Sequence, residues 1–432
     1  MGAIAATRFG LGARPGEIAE AATDAQGWLL AQLDASRAPA HPPTPSAAER
    51  LIASHAADQV DRGTGAGPAF RSALANAELL TRARLGAETD APFRERWTLF
   101  WLNHFALEAD ERTEMLSGAF AREAIEPHLL GRFDDMAVAA LQHPAMLIAL
   151  DQAESTGPNS PLGLASRNGL NENLAREALE LHTLGAGSGY RQADVTELAR
   201  ALAGWTIGDP GGAADTRGRF VNDPARREPG ARRLLGRSYA GYGAAEAMLR
   251  DAARRPETRA RIALKVARHF VADDPPPALV GRLRRALETT DGSLDALART
   301  LIAAPEAWTA RQAKLKTPYE FLVSAHRALG LAPDDPGGLK EMAVATGHSP
   351  LWAATAAGAS DRAEAWATPL GLTRRVQLAR GLAGRAGTPE PGKLAGQTLG
   401  PLLNARTETA ALSVSPEDGV ALILLSPEFQ YR

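Results

Sequence analysis

The 432-residue sequence contains no cysteine. That absence excludes disulfides, thiolate metal sites and cysteine nucleophiles together, and it leaves the redox compartment open. Net charge is also nearly missing, with 48 Lys plus Arg against 50 Asp plus Glu. There is no basic footprint for a phosphate backbone, so no nucleic-acid partner is expected. Nowhere do enough apolar residues run together to cross a bilayer, so no membrane span is expected. The stretch from Met1 to Glu17 has no charged region followed by an apolar core, and Ala6 stands where a myristoylation signal needs Ser or Thr. As written, the chain is expected to be cytoplasmic. The phosphate-loop, zinc-protease and calcium-loop signatures are missing as well. Gly347-His348-Ser349-Pro350-Leu351 resembles a nucleophile elbow, but Leu351 replaces the closing glycine and no strand precedes it. Nothing signals a redox cofactor, and no cofactor is assigned.

What is present is helical periodicity. Trp97, Phe100, Trp101, His104 and Phe105 recur at the spacing of one helix face, and so do Val195, Leu198, Ala199 and Leu202. Asp194, with Glu197 three residues on, reads as a capped start to the second of these, and Gly204 as its stop. Asp134 to Leu141 reads as another helix, and the His143-Pro144 pair as the start of the next. Pro39, Pro42, Pro43 and Pro45 make a stiff connector. The run from Arg219 to Val221, between turn-rich stretches, reads as a strand. The expectation is an all-α fold, a multi-helix globular bundle of about fifteen helices by usual helix lengths, with one small β-hairpin excursion near residues 219–240. Residues 1–34 form an N-terminal helical piece, 35–47 the connector, and 48–432 a main domain with a single core and a hairpin insertion at about 209–240.

One segment carries an unusual polar inventory: Asn171 to Gly185, NENLAREALELHTLG. At about 100° per residue, Glu172, Asn173, Arg176, Glu180 and Thr183 share a face. Glu177 sits on its shoulder, Leu174, Ala178 and Leu181 form the apolar stripe, and His182 falls among the alanines. Glu180 and His182 therefore point apart, so this helix alone builds no metal site. The ladder Glu172–Arg176–Glu180 has two readings. One is a solvated stripe that stabilises the helix by a few tenths of a kcal/mol per pair. The other is a partly buried cluster in which Glu177 has a raised pKa and acts as acid or base. Asn171 or Asn168 caps the helix.

Outside this segment, His104 reads either as a core histidine with satisfied nitrogens or as a site residue beside Asn103. His143 reads as a helix-start residue and His269 as a helix-end one. Arg311, Lys314 and Lys316 read as a solvated basic loop.

The order of FWLNHF (Phe100–Phe105), REAIEPHLLGRF (Arg122–Phe133), HPAMLIALD (His143–Asp151), GLNENLAREALELHTLG (Gly169–Gly185) and YRQADVTELARALAGWTI (Tyr190–Ile207) resembles the bacterial domain of unknown function family 1800. ALKVARHFVADDPP (Ala263–Pro276), KTPYEFLVSAHRALG (Lys316–Gly330) and the closing LLSPEFQYR (Leu424–Arg432) extend the resemblance over nearly the whole chain. It implies an all-α fold, no assigned activity and no catalytic residue to carry over. It also implies that relatives are often exported, and encoded beside a second, secreted protein with a hydrolase-like fold. Many relatives carry a histidine where Arg227 stands in Arg226-Arg227-Glu228-Pro229-Gly230.

Two functions follow as expectations. In one, the chain is a binding or assembly partner of a protein encoded nearby, with the polar helix as an internal strut and Arg226–Arg233 and the Pro-rich loops as contacts. In the other it is a hydrolase or other acid–base enzyme. Its pocket would then lie between the polar helix and Trp97–Phe105, with Glu177 and His104 acting and Asn173, Arg176 and Glu180 in support.

Overall fold

Prolines set much of the architecture. Helices Pro92–His104, Pro256–Phe270, Pro277–Thr289, Pro318–Leu329, Pro336–Thr346 and Pro369–Arg385 all begin on one. At that position the fixed φ suits the helix, and the missing N–H would have had no partner. A computed structural model describes residues 1–61, 63–165, 169–309, 312–387 and 389–432. Asn168 and Arg311, named above as a cap and a basic-loop residue, lie outside them. Among the described residues the fold is all-α, with two small antiparallel strand pairs. No helix among them is long and apolar enough to cross a membrane.

Two helices run through the middle. Pro92–His104 buries residues on every side, including Arg94, Glu95 and Arg96, and Pro318–Leu329 does the same with Glu320, His326 and Arg327. Charge in such positions survives only when paired. Glu95 meets Arg82 at 2.8 Å, Arg327 meets Glu17 at 2.7 Å, and Arg96 meets Glu320. Around Pro92–His104 the aromatic stripe closes the core: Trp97 stacks on Phe93 and Phe100, and its indole N–H donates to the Leu129 carbonyl. Phe9, near the N-terminus, packs on Phe93, Phe270 and Trp308. A second apolar cluster joins Phe321 and Ala325 to the C-terminal helices through Leu382, Val420 and Phe429.

The strand excursion is a pair of pairs. Trp205–Ile207 pairs with Phe220–Asn222, and Arg232–Leu234 with Arg237–Tyr239. The second turn places Leu235 and Gly236 at positive φ, and the Asp194 carboxylate fixes it by accepting the Leu235 N–H at 2.8 Å. Asp194 is therefore not the cap. Its helix is Gln192–Leu202, and from inside the first turn it also accepts the Arg191 N–H at 2.9 Å.

The polar helix departs from uniform α geometry. Asn173–Glu177 is α-helical, but Ala178–His182 is π-helical. A π turn holds an extra residue, so every side chain after Glu177 rotates away from its expected face. That rotation drives His182 into the core, stacked on Phe105 at a ring separation of 5.2 Å.

Candidate functional site

The five residues expected to form a site divide between surface and core. Asn173 is exposed, with its N–H held by the Asn171 side-chain oxygen at 2.8 Å, so Asn171 brackets the helix start. Arg176 pairs with Glu172 and with Gln192, each at 3.1 Å, and its side chain stays 40 % exposed. The enclosure expected around Arg176 is absent. Glu180 accepts from the Tyr190 hydroxyl at 3.4 Å. Glu177 is half-buried, and burial, then Glu180, raises its carboxyl above the ordinary value.

His104 lies in the core with both ring nitrogens engaged. An ammonium only donates, so Lys265 Nζ, 3.0 Å from Nδ1, makes that nitrogen an acceptor. The proton then sits on Nε2, which donates to the His182 carbonyl at 3.1 Å. Burial, then Lys265 and His182, hold the ring far below its ordinary pKa. This histidine is neutral and fully occupied.

A wide cleft of about 940 Å³ lies between the segments 108–113 and 147–154 and the first strand pair. Glu108, Asp110, Asp151, Glu154, Asp209 and Asp223 line it, against Arg112 and Arg226. Arg226 is drawn to Asp223 at 3.5 Å. A smaller hollow shares Asp151 and Glu154 and reaches Asn171 and Glu172.

A further hollow is small and partly open, about 40 Å³, which is room for a couple of waters. It lies where the ends of Pro92–His104 and Pro256–Phe270 meet the start of Pro318–Leu329, under the loop that follows Thr346. His269, 7 % exposed, lines it, and its Nδ1 is 2.8 Å from Asp361 Oδ1. Burial holds His269 below its ordinary pKa despite that carboxylate. Burial alone would raise Asp361, but His269 and Lys314 outweigh it and hold it low. The pair is thus a neutral imidazole on an ionised carboxylate. Nδ1 carries the proton and Nε2 keeps a lone pair. That Nε2 is buried and has no hydrogen-bond partner among the described residues. His348 lines the same hollow with its Nδ1 in the same condition, pushed down by burial to about 4.

Charge surrounds this hollow. Glu320 lines it, bound by Arg96 and, at 3.1 Å, by Arg432. Lys314 and Lys316, expected in a solvated loop, are each 2 % exposed. Lys314 reaches Asp273 and the Asp361 carbonyl, and Lys316 lies 3.9 Å over the Phe429 ring. Their loop is pulled inward by these partners. Among the described residues no group of three or more His, Asp or Glu is placed to hold a metal ion.

The sequence pattern of the family described as protein of unknown function (DUF1800) matches residues 4–431. The chain belongs to the DUF1800 family. No curated protein and no solved structure matches it.

In this DUF1800 protein, Arg227 lies 4.4 Å over the Tyr242 ring and donates to the Asn222 side chain at 3.3 Å. Arg232 is buried and donates to the Pro229 carbonyl. Of the four arginines in the expected contact segment Arg226–Arg233, Arg227 and Arg232 fold onto their own segment, while Arg233 is exposed. His269 was the residue that sequence reading passed over as a helix end. Its signal was local: Arg261, Lys265 and His269 fall at i, i+4 and i+8, a polar row on the helix Pro256–Phe270.

Proposed function

We propose that this protein is an acid–base enzyme, hydrolytic in reaction class, with His269 as the base and Asp361 orienting it. The observation that carries this reading is His269 itself: Nδ1 committed to Asp361 at 2.8 Å, and Nε2 unpartnered at a small cavity. A carboxylate on one nitrogen fixes the tautomer and stabilises the imidazolium that forms when the other takes a proton. Nε2 takes that proton from a water as its oxygen attacks a carbonyl or phosphoryl centre. The imidazolium then returns the proton to the leaving group. Glu177 and His104 have no part in this step, because one sits on the open helix and the other has no free nitrogen.

The test is turnover across a panel of esters, amides and phosphoesters by wild type and His269→Gln. The expected loss is about 10²- to 10⁴-fold with the melting temperature retained. Turnover that survives the substitution, or a wild type inert across the panel, overturns the reading.

The 940 Å³ acidic cleft favours a second reading, a binding or assembly partner that receives a cationic segment of a protein encoded nearby. Complementary charge would speed and orient such docking. Co-purification with the neighbouring gene product, lost on changing Asp151 and Glu154 to Lys, supports it. A monomer that captures nothing from co-expression counts against it.

A further inference from the structure

We infer that Asn103 is the positioning residue of the His269 site, latching the loop that carries Asp361, and that this loop is the lid through which the site is reached. The inference rests on the acid–base reading for its meaning, but not for its geometry.

Residues 347–368 connect Pro336–Thr346 to Pro369–Arg385 with only the single turn Ala363–Ala365 between them. Connections of that length without their own structure are uncommon and usually functional. This loop supplies half of the residues around the small cavity, including His348, Ser349, Ser360 and Asp361. It is pinned at few points. Near its start, the Ala353 N–H donates to the Leu107 carbonyl at 2.9 Å, and its carbonyl accepts from Ala109 at 2.8 Å. Near its end, the Ala363 N–H donates to Asp273 at 2.9 Å.

Between those pins the loop is held at Ala359 by Asn103, which lines the cavity itself, and at Asp361 by His269 and Lys314. Its Oδ1 accepts the Ala359 N–H at 2.7 Å, and its Nδ2 donates to the Ala359 carbonyl at 2.9 Å. One side-chain amide therefore satisfies both halves of one residue's backbone, as a neighbouring strand would. The approach is close enough to need glycine alongside. Gly358 has φ +81°, and a Cβ there would sit 2.4 Å from the Asn103 carbonyl oxygen. Asp361 follows two residues after Ala359. Releasing Asn103 leaves the stretch that carries the carboxylate held only at Asp361, by His269 and Lys314, so it loosens and admits water to Nε2.

The hollow as it stands has room for a couple of waters, so a larger molecule enters only when this stretch moves. Asn103 closes the helix side of that gate. The groups facing His269 across it are Asp361, Glu320, Arg432 and His348.

The test uses the full chain carrying Asn103→Ala, with Gly358→Ala as a second variant that pushes the loop off Asn103 from the other side. Amide exchange of residues 354–362 is expected to rise at least tenfold. The His269 ring, observed by NMR, is expected to titrate nearer its ordinary value, because burial is the main cause of its depression. Asn103→Asp keeps the acceptor, loses the donor, and falls between. A merely structural asparagine would lower the melting temperature without moving the His269 titration. Exchange that stays slow in both variants, or a freed loop with His269 unmoved, overturns the latch. If loop and ring both respond but no turnover depends on His269, the latch stands and the enzymatic reading falls.

Discussion

Two polar regions of this molecule invite a functional reading, and they are built in opposite ways. The helix around Arg176 gathers carboxylates, amides and an arginine within a dozen consecutive residues, yet it meets water. Arg176 is 40 % exposed and Asn173 more open still. The His269 hollow draws on residues 103, 269, 320, 348 and 361, distant in sequence, and its His269 and Glu320 are buried. In the first region each charge is weakened by solvent. In the second, burial keeps His269 neutral, while His269 and Lys314 hold Asp361 ionised against burial. Burial, not inventory, separates the two regions.

The largest expected contrast is catalytic. His269→Gln should lower turnover by about 10²- to 10⁴-fold, whereas Glu177→Gln should leave it near wild type. Steady-state kinetics of the two variants on one substrate decide this. Equal losses would erase the distinction between the regions.

Next is stability. Arg96→Met leaves Glu320 short of a buried partner and should cost about 3 kcal/mol or more, whereas Arg176→Met should cost about 0–1 kcal/mol. Urea denaturation at neutral pH measures both.

A smaller effect is the pH response. His104, His182, His269 and His348 are all held below the ordinary histidine value by burial, His182 to about 3 and His348 to about 4. Below pH 6.5 the unfolded chain binds protons that the folded one refuses. Stability is therefore complete above that value and falls as pH drops, by about 1.4 kcal/mol per fully depressed histidine at pH 5.5. Glu177 acts with the opposite sign. Its raised value means that the folded state holds its proton more tightly than the unfolded chain, so its ionisation costs stability as pH rises through the carboxylate range. Glu177→Gln should thus be mildly stabilising at neutral pH, while His182→Phe should flatten the acid side. Denaturation series between pH 7.5 and 5.5 test both signs.

The helical frame was legible because local periodicity encodes it. The stripe from Trp97 to His104 lies on Pro92–His104, with Phe105 at its C-cap, Asp134 to Leu141 lies within Phe133–Gln142, and Pro144 starts its helix with His143 as the cap. The site was not legible, for three physical reasons. A π turn at Ala178–His182 has no simple sequence signature, and it rotates His182 off the face that uniform α spacing gives it and into the core. The partners His269 and Asp361 are 92 positions apart, and no local rule pairs them. Lys314 and Lys316 looked solvated because their partners Asp273, Asp361 and Phe429 come from other segments.

The central claim is the charge and tautomer state of His269, and nitrogen-15 NMR of its ring at pH 7 reads both directly. A proton on Nδ1 and a bare Nε2, with that preference lost in Asp361→Asn, is the predicted result. A doubly protonated ring at pH 7, or a proton on Nε2 instead, would contradict the account.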